Sequence, residues 1–300
     1  MEAIEIRLSG DIANYCDVWY RVYVEKYGWL GWAKNGQTAG TTGISYRIES
    51  IEIRLVPKTA AVPGANSGYY KDTPLITSGR IVKNGNIYYY NTSGVLYRTV
   101  YGNQKMVALT YDDGSSQYTS TILDILETYN STATFFVVGE RVGTYSSIVQ
   151  RAYSLGCQIG NHTYNHTTLT SVSASVIQNQ ISATNTAVKN VTGVSPTVMR
   201  PPGGSHNSTV RNTVGMPIIL WSIDTLDWKT RNSASTVSAV LNHVQDGDIV
   251  LMHDLYSATA TASLTIIPGL ISKGYQLVTV EEMALLRGGM SNGAVYSAFR

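Results

Sequence analysis

Apolar residues follow two alternating patterns from Lys105 onward. Short continuous apolar runs, typical of buried strands, alternate with stretches in which apolar residues recur about every three or four positions, as on one face of a helix. This alternation favours a parallel sheet covered by helices, and about seven repeats of the unit predict a barrel. The predicted strands lie at 106–111, 134–138, 158–160, 197–199, 218–221, 248–252 and 275–278, and the clearest helical stretches include 122–129, 148–149 and 177–191.

The first 57 residues contain a repeated heptapeptide. The sequence EAIEIRL at 2–8 returns as ESIEIRL at 49–55, with six of seven positions identical at an offset of 47. The alternation of isoleucine with charged residues indicates a strand that buries one face. Because such repeats usually occur in arrays whose members cover each other's apolar faces, we expect 1–57 to be the tail of one β-rich repeat followed by one complete repeat.

Residues 58–104 have the composition of a connection. The sequence PKTAAVPG at 57–64 predicts a linker because of its proline and glycine content. The sequence NIYYYNTSGVLY at 86–97 then predicts an aromatic hairpin that turns at 91–94. These features divide the chain into a repeat segment at 1–57, a linker with a hairpin at 58–104, an α/β domain at 105–288 and a tail at 289–300.

Chemically reactive side chains cluster at the ends of the predicted strands. The carboxyl ends of barrel strands meet at one face, where catalytic groups gather. Although the chain has only five histidines, three of them follow these strands. The sequence therefore predicts an active site built from Asp112, Asp113, His162, His166, Arg200, Asp224, Asp227 and His253, with Asp254 as a supporting residue or a loop cap.

The two histidines of GNHTYNH at 160–166 suggest a metal site. His162 and His166 are four residues apart, so both imidazoles lie on one face if the segment turns helically after its strand. Asp113 ends a neighbouring strand and can supply a carboxylate. Two histidines and one carboxylate leave coordination positions open for water, which is the composition of a hydrolytic site rather than of a closed structural one.

Composition excludes several classes of protein. Lysine and arginine number 22 against 20 acidic residues, so the net charge of +2 gives no electrostatic case for a nucleic-acid partner. No apolar run reaches the roughly 20 residues that span a bilayer, and no signal peptide is visible, because Met1 leads directly into a strand-like sequence. Cys16 and Cys157 fit no zinc or redox spacing and are expected to be free thiols.

Five motifs along 105–288 resemble those of the polysaccharide deacetylases, the NodB-homology domains of carbohydrate esterase family 4. The motifs are TYDDG at 110–114, the histidine pair at 162–166, RPPGG at 200–204, DTLDW at 224–228 and LMHD at 251–254. The resemblance implies an α/β fold, a distorted (β/α) barrel of about seven strands preceded by a small β-rich module. It also implies metal-dependent hydrolysis of N-acetyl groups on a β-linked aminosugar polymer.

The resemblance implies a role for each residue around the metal. Asp113, His162 and His166 would hold one divalent ion, zinc, with cobalt and nickel as alternatives. Asp112 would be the general base that accepts the proton of water. Arg200 would pair with that base and orient it.

The remaining motif residues would serve the leaving group and the substrate. His253 resembles the general acid, and Asp224 resembles the carboxylate that tunes it, with Asp227 as the alternative. The backbone N–H of Gly203 would meet the oxyanion. The substrate and acetyl pocket is expected to contain Tyr111, Gly203, Asp227, Trp228 and Leu251.

Two positions depart from the family pattern. Ser115 stands where a proline usually follows the first motif, and we interpret this as a loop detail. Gly203 stands where many members have an aromatic residue, so no side chain covers the site there. The second departure leaves the shape of the substrate subsite open.

The repeat segment resembles the clostridial hydrophobic W (ChW) repeats of secreted Gram-positive proteins. The resemblance rests on GWLGW at 28–32, AGTTG at 39–43 and IESIEIRL at 48–55. It implies a longer, exported protein that associates with the cell surface through a surface partner. Trp29 and Trp32 are interpreted as repeat core rather than as a platform for sugars.

Wall-associated repeats favour peptidoglycan N-acetylglucosamine as the polysaccharide substrate, with N-acetylmuramic acid left open. The enzymatic alternatives are an O-acetyl xylan esterase and a chitooligosaccharide deacetylase. The alternative from another class is a wall-binding protein with a degenerate deacetylase scaffold, which the intact motifs disfavour. We expect a monomer that is secreted or held at the surface of a Gram-positive bacterium.

Overall fold

The computed structural model describes residues 1–25, 27–42, 46–71, 79–91 and 94–300. They form two compact units, one comprising 1–79 with 89–97 and the other comprising 80–88 with 98–300. The boundaries expected from the sequence at 57, 104 and 288 stay predictions. No helix in the described ranges is long and apolar enough to cross a membrane. Cys16 and Cys157 are both free, as expected.

The amino-terminal unit is built from short strands around one long antiparallel pair. Strand β2 pairs with β6 from Cys16–Pro57 to Val24–Ile48, and β3 and β4 also pair with β2. A separate sheet has the order β1-β5-β7. The elements are β1 (Ala3–Ile4), α1 (Ile12–Tyr15), β2 (Cys16–Val24), β3 (Gly28–Trp29), β4 (Ala33–Lys34), β5 (Ala39–Thr41), β6 (Ile48–Pro57) and β7 (Tyr70–Lys71).

The two copies of the heptapeptide have different structures. The second copy lies within strand β6, as predicted, but the expected burial of its apolar face is wrong, because Ile51, Ile53 and Leu55 are 40%, 54% and 53% exposed. In the first copy only β1 pairs with β5, and beyond it the carbonyl of Ile6 accepts a hydrogen bond from Gly36. Its apolar side chains still pack, with those of β2, into the core of this unit. That core contains Val18, Tyr20, Val22, Val24, Leu30, Ala33 and Ala39, contacted by Ile4, Ile6 and Leu8 among others.

A further sheet has the order β10-β9-β8. Its strands are β8 (Gly79–Lys83), β9 (Asn86–Tyr90) and β10 (Leu96–Tyr101). The strands of the predicted hairpin are therefore present, while positions 92 and 93 of its predicted turn lie outside the described residues. Within β10, Arg98 forms an ion pair with the buried Glu282.

The second unit alternates parallel strands and helices. Its strands are β11 (Met106–Asp112), β12 (Thr134–Val137), β13 (Gln158–Asn161), β14 (Ile218–Ile219), β15 (Ile223–Asp224), β16 (Asp248–His253), β17 (Gln276–Leu277) and β18 (Val295–Tyr296). Its helices are α2 (Thr119–Thr128), α3 (Gly139–Val142), α4 (Ser146–Ser154), α5 (Ala174–Thr192), α6 (Ser208–Thr213), α7 (Asp227–Thr230), α8 (Ser233–Leu241), α9 (Ser257–Ser272) and α10 (Val280–Leu286).

The parallel strands close into a distorted barrel. The sheet runs β13-β12-β11-β16-β15. Met199 then bridges Asn161 on one side and Ile218 of β14 on the other. Residues 220–222 connect β14 directly to β15, so seven strand positions surround the interior when Met199 is counted. The expected (β/α) barrel of about seven strands is confirmed.

The predicted strand at 197–199 is reduced to the single bridging residue Met199. Pro196 precedes it and Pro201 and Pro202 follow it, and proline donates no hydrogen bond to a ladder. The backbone of Arg200 nevertheless donates to the carbonyl of Asn161, so this short segment still keeps its place in the ring.

Helix α5 illustrates how the sequence defines these elements. The side chain of Ser173 accepts a hydrogen bond from the N–H of Val176 at the first turn, and Gly193 ends the helix with a left-handed φ of 82°. Its buried face consists of Ile177, Ile181, Thr184, Val188 and Thr192. The spacing predicts the first four, whereas Val191, expected as the fifth, is only partly buried. The core between sheet and helices includes Leu109, Tyr111, Leu123, Phe135, Val250 and Ile266.

Candidate active site

The carboxyl ends of the barrel strands meet in an open cleft of about 420 Å³. The parallel strands bring motifs that are far apart in sequence to one edge, as the barrel prediction requires. The cleft is lined by Asp112, Asp113, His162, His166, Gly203, Trp221, Asp224, Trp228, Leu251, His253 and Tyr256.

Three potential metal ligands lie together in this cleft. The Nε2 atoms of His162 and His166 are each 3.2 Å from Oδ1 of Asp113. The three ligand atoms lie within 4.8 Å of one another, close enough to share one ion. His162 is buried, whereas the side chain of His166 is half-exposed at 49%. The cluster therefore has an open side toward solvent.

The backbone around these ligands is unusual. Asp113 and His166 have left-handed φ values of 69° and 58°, and Thr163 has one of 64°. Such conformations are costly for residues other than glycine, and they concentrate at functional sites. The helical turn predicted for 162–166 is wrong, because the segment follows β13 as an irregular loop. The loop brings the two imidazole rings to a centroid separation of 5.1 Å instead.

The hydrogen bonds of the cluster fit a cation. Nδ1 of His162 lies 2.7 Å from the carbonyl oxygen of Arg200, which can only accept, so Nδ1 carries the proton. Nε2 of His162 is then a lone pair facing Asp113. Oδ1 of Asp113 is itself buried without a hydrogen-bond partner. Facing lone pairs on nitrogen and carboxylate oxygen are the donor set of a divalent transition metal.

The electrostatics of the cluster point the same way. Burial acts to raise the pKa of Asp113, but the two imidazoles outweigh it and hold that pKa well below its usual range. The Asp113 carboxylate in turn raises the pKa of His166. Protons therefore compete with a metal for His166, and metal occupancy should decrease as the pH falls.

Asp112 is held by an arginine rather than by the metal cluster. Oδ1 of Asp112 accepts a hydrogen bond of 2.7 Å from Nη1 of the fully buried Arg200. The same nitrogen lies 2.7 Å from Oγ1 of Thr110. Oδ2 of Asp112 lies 3.8 Å from Nε2 of His162, and its side chain lines the cleft. This carboxylate is thus fixed through one oxygen beside the metal ligands.

Arg200 is itself fixed by the barrel. It donates to the carbonyl oxygens of Ile219 and Leu220 at 3.0 and 2.8 Å, and its guanidinium carbon lies 4.3 Å from the ring centroid of Phe136. Burial lowers the pKa of Arg200, while Asp112 opposes that change. Buried charges persist only when they are paired and hydrogen-bonded, and Arg200 meets both conditions.

A second carboxylate, that of Asp227, forms hydrogen bonds with His253. Nδ1 of His253 lies 2.8 Å from Oδ1 of Asp227, and Oδ2 of Asp227 accepts from the backbone of His253 and from the hydroxyl of Thr259. Since the carboxylate engages Nδ1, Nε2 is left for the cleft. Burial acts to lower the pKa of His253, but Asp227 and the cleft carboxylates outweigh it and raise that pKa.

Of the two carboxylates expected as partners of His253, the alternative Asp227 is the one bonded to it, and the expectation for Asp224 is wrong. Asp224 is exposed, and its Oδ1 accepts from the backbone of Leu226 at 2.9 Å. Leu226 has a left-handed φ of 53°, and helix α7 begins immediately after it. This tight turn directs Asp227 inward, where it is 1% exposed, and leaves Asp224 on the wall of the cleft.

Only some of the expected pocket residues line the cleft. Gly203, Trp228 and Leu251 line the cleft, as predicted. Asp227 does not line the cleft, because its carboxylate is buried and bonded to Nδ1 of His253. The prediction that Tyr111 is a pocket residue is wrong, because its ring stacks on Phe135 in the core and its hydroxyl forms a hydrogen bond of 2.9 Å with Ser263.

Two aromatic residues of the cleft were missed from the sequence. Trp221 follows β14, and Tyr256 lies just before α9. The signal available for both was an aromatic side chain placed shortly after a strand end. The guanidinium of Arg231 lies 3.3 Å from the ring centroid of Tyr256, and its Nε donates to the carbonyl of Trp228. Arg231 thereby connects two aromatic residues of the wall.

Together these groups define a class of site: a set of potential metal ligands at the end of a barrel, with the groups that hydrolysis requires. It combines open metal ligands, a carboxylate able to accept a proton and an imidazole able to donate one. The family described as Polysaccharide deacetylase matches residues 99–216, and the family described as Clostridial hydrophobic W matches residues 23–57.

Relatives cover the second unit in particular. The chain is 45% identical over 180 residues to the peptidoglycan-N-acetylglucosamine deacetylase PgdA of Listeria monocytogenes, covering 60% of this chain and 39% of that one. It is 36% identical over 200 residues to a peptidoglycan-N-acetylglucosamine deacetylase of Bacillus cereus, covering 64% of this chain and 93% of that one. The chain belongs to the polysaccharide deacetylase family.

A solved structure agrees with this assignment. The family 4 acetyl xylan esterase of Clostridium thermocellum in complex with a cobalt ion is 34% identical, with a TM-score of 0.62, covering 65% of this chain and 98% of that one. Among the first curated relatives, by contrast, the chain spans only 31% to 39% of their length. The match therefore concerns the deacetylase domain.

Proposed function

We propose that this protein removes N-acetyl groups from a β-linked aminosugar polymer, with peptidoglycan N-acetylglucosamine as the substrate and acetate as a product. The observation that carries the proposal is that Asp112 and His253 line the same cleft as the Asp113–His162–His166 ligand set. A proton acceptor, a proton donor and a metal site are thereby available to one scissile bond.

The ligand set is suited to zinc, with cobalt and nickel as alternatives. When bound, a divalent metal of this kind lowers the pKa of its water and polarises the acetyl carbonyl. The chain's own contribution is to hold two neutral imidazoles and one carboxylate with a side left open. His162 is kept in the correct tautomer by the carbonyl of Arg200.

Asp112 is the general base in this proposal. Arg200 fixes one of its oxygens at 2.7 Å, so the carboxylate is oriented before substrate binds. Such a carboxylate accepts a proton from the attacking water and needs no reorganisation at that moment. The backbone N–H of Gly203, on the cleft wall, is the proposed donor to the oxyanion.

His253 is the general acid. Cleavage of an amide needs a proton on the departing nitrogen, because an amine leaves poorly as an anion. The raised pKa of His253 favours the imidazolium that carries this proton, and Asp227 holds the ring with Nε2 toward the cleft. Trp228 and Leu251 are the proposed walls of the acetyl pocket.

The choice of polymer is supported by the relatives and by the repeat. Two peptidoglycan-N-acetylglucosamine deacetylases are 45% and 36% identical to this chain. The likeness to an acetyl xylan esterase favours an O-acetyl esterase as the second candidate, because the same groups cleave esters. The intact ligand set, general base and general acid do not support a degenerate, purely wall-binding scaffold.

Acetate release should distinguish these substrates. We expect the purified chain to release acetate from peptidoglycan and chitooligosaccharides faster than from acetylated xylan, and to lose this activity after chelation. Acetate is measured side by side for the three polymers, with Asp112→Asn as the inactive control. Release from acetylated xylan alone would contradict N-deacetylation and establish the esterase.

We further propose that the repeat segment holds the protein at the surface of a Gram-positive bacterium, and that the protein is secreted and monomeric. The match of residues 23–57 to the clostridial hydrophobic W family supports this role. The interpretation of both tryptophans as repeat core holds for Trp32, which is 6% exposed, but is wrong for Trp29, which is 44% exposed. Partner binding is therefore better assigned to the exposed face that includes Trp29.

Surface retention provides the test of this role. We expect the full chain to sediment with whole Gram-positive cell walls, and a Trp29→Ala variant to be retained less while its turnover of a soluble chitooligosaccharide is unchanged. The exposed Tyr153, on helix α4 of the second unit, supplies a matched control as Tyr153→Ala. Equal retention of all three proteins would contradict a targeting role for this face.

A further inference from the structure

We propose that Asp224 is a specificity-determining residue whose carboxylate attracts the ammonium group of a sugar that has already lost its acetyl group. The inference rests on the proposed deacetylation, since that reaction converts a neutral amide into a basic amine. It assigns to the enzyme a preference for partly deacetylated chains over fully acetylated ones.

The fold fixes Asp224 on the wall of the cleft. Asp224 ends strand β15, in parallel register with Leu251 of β16, and both residues line the cleft. Its Oδ1 is held by the N–H of Leu226 at 2.9 Å, while the side chain as a whole stays exposed. The negative charge is therefore held at a defined place that a bound polymer can reach.

The charge of Asp224 is also uncompensated. Within the described residues, Asp224 forms no ion pair with a lysine, arginine or histidine, and its side chain accepts a hydrogen bond from the N–H of Leu226. The other carboxylates and imidazoles lining the cleft each contact an ionisable side chain. These contacts join Asp112 with Arg200, Asp113 with the proposed metal ligands His162 and His166, and His253 with Asp227.

The chemistry of the reaction supplies a cation for this carboxylate. An N-acetylated glycan carries no charge on its amide nitrogen, whereas each turnover leaves an amine that is protonated in mildly acidic solution. A polymer lying along the cleft brings neighbouring sugars past its walls. An ammonium group on such a sugar is attracted to Asp224 by Coulomb interaction, without any change at the reacting carbonyl.

The exposure of Asp224 determines how large its effect on substrate preference should be. An ion pair open to solvent typically changes an equilibrium about two- to five-fold, and less at high salt. Because the ammonium belongs to a sugar that does not react, the interaction is the same in the ground and transition states. The preference should therefore appear in KM rather than in kcat.

Asparagine at position 224 separates charge from structure. The side-chain oxygen of asparagine can still accept from the N–H of Leu226, so Asp224→Asn retains the turn and removes only the charge. Asp11→Asn is the matched control, because Asp11 is an exposed aspartate of the amino-terminal unit that makes no capping hydrogen bond.

The experiment compares two chitotetraoses at about pH 6, one fully acetylated and one with a free amine next to an acetylated sugar. We expect wild type and Asp11→Asn to have a kcat/KM about two- to five-fold higher for the amine-bearing substrate. This ratio should fall toward one in Asp224→Asn, and in wild type at about 1 M salt, where the Debye length is about 3 Å.

A ratio in Asp224→Asn equal to that of wild type, or an absent preference in wild type, would overturn the proposal. An equal loss on both substrates in Asp224→Asn would assign the residue to the turn and also overturn it. Calorimetric binding of fully deacetylated chitotetraose, expected to weaken in Asp224→Asn, tests the charge without turnover. Failure of wild type to release acetate from either substrate would contradict the proposed function instead.

Discussion

Replacement of Asp112 by asparagine is expected to lower turnover about 10²- to 10⁴-fold, the usual contribution of a general base. Asparagine keeps the shape of the side chain and offers an oxygen to Arg200, but it accepts no proton from water. The three proposed metal ligands are unchanged. The measurement is kcat on an acetylated chitooligosaccharide, with folding checked by circular dichroism.

Asp124 provides the matched control for this substitution. Asp124 is an exposed aspartate on helix α2 that pairs with Arg151, so Asp124→Asn should retain the activity of wild type. A loss of less than about ten-fold in Asp112→Asn would contradict the role of Asp112 as base. Arg200 is a poorer probe, because its removal also leaves the carbonyl oxygens of Ile219 and Leu220 without their donor.

Replacement of His253 by alanine is expected to reduce N-deacetylation about 10²- to 10⁴-fold, the range of a general acid. Hydrolysis of an activated acetate ester should fall far less, because a phenolate leaves without full protonation. Turnover of an acetylated chitooligosaccharide and of nitrophenyl acetate is measured with the same protein. Equal losses on both substrates would assign His253 to binding or folding.

The pH profile tests the partner of His253. A general acid must be protonated, so activity should decline as the pH rises through the pKa of His253. Asp227 raises that pKa, so Asp227→Asn should move the decline to lower pH. Asp224→Asn, which leaves the Asp227 contact intact, should not move it. A shift in Asp224→Asn alone would reverse the pairing seen in the structure.

The convergence of the metal ligands followed from the barrel, not from their local structure. Asp113, His162 and His166 were predicted to share an ion partly because a helical turn would align the histidines, and that turn is absent. They meet because β11, β12 and β13 are neighbours in one parallel sheet. Alternating strands and helices predict such an edge, whereas the left-handed backbone at Asp113 and His166 has no sequence signal.

The Asp224 error shows what spacing cannot decide. Asp224 and Asp227 both follow the strand predicted at 218–221, and both are aspartates. The outcome depends on the left-handed Leu226 and on the helix that starts at Asp227, which turn one carboxylate inward and leave the other outside. Leucine has no preference for that conformation, so the sequence did not predict the turn.

The Tyr111 error, in contrast, was avoidable. Neighbouring residues of a strand point to opposite faces. Asp112 faces the cleft, so Tyr111 must face the surrounding helices, where it bonds Ser263 of α9. Helix α9 was harder to predict, because it is apolar around much of its circumference and contains Pro268.

Metal content measured beside turnover tests the central claim most directly. Wild type and Asp112→Asn should each bind about one divalent ion per chain by elemental analysis, although only wild type is active. Asp113→Ala should lose both metal and activity, because it removes the charged ligand and leaves two neutral imidazoles. Loss of metal from Asp112→Asn with retention in Asp113→Ala would exchange the two roles. Retention in both would show that the GNHTYNH histidines do not share an ion with Asp113.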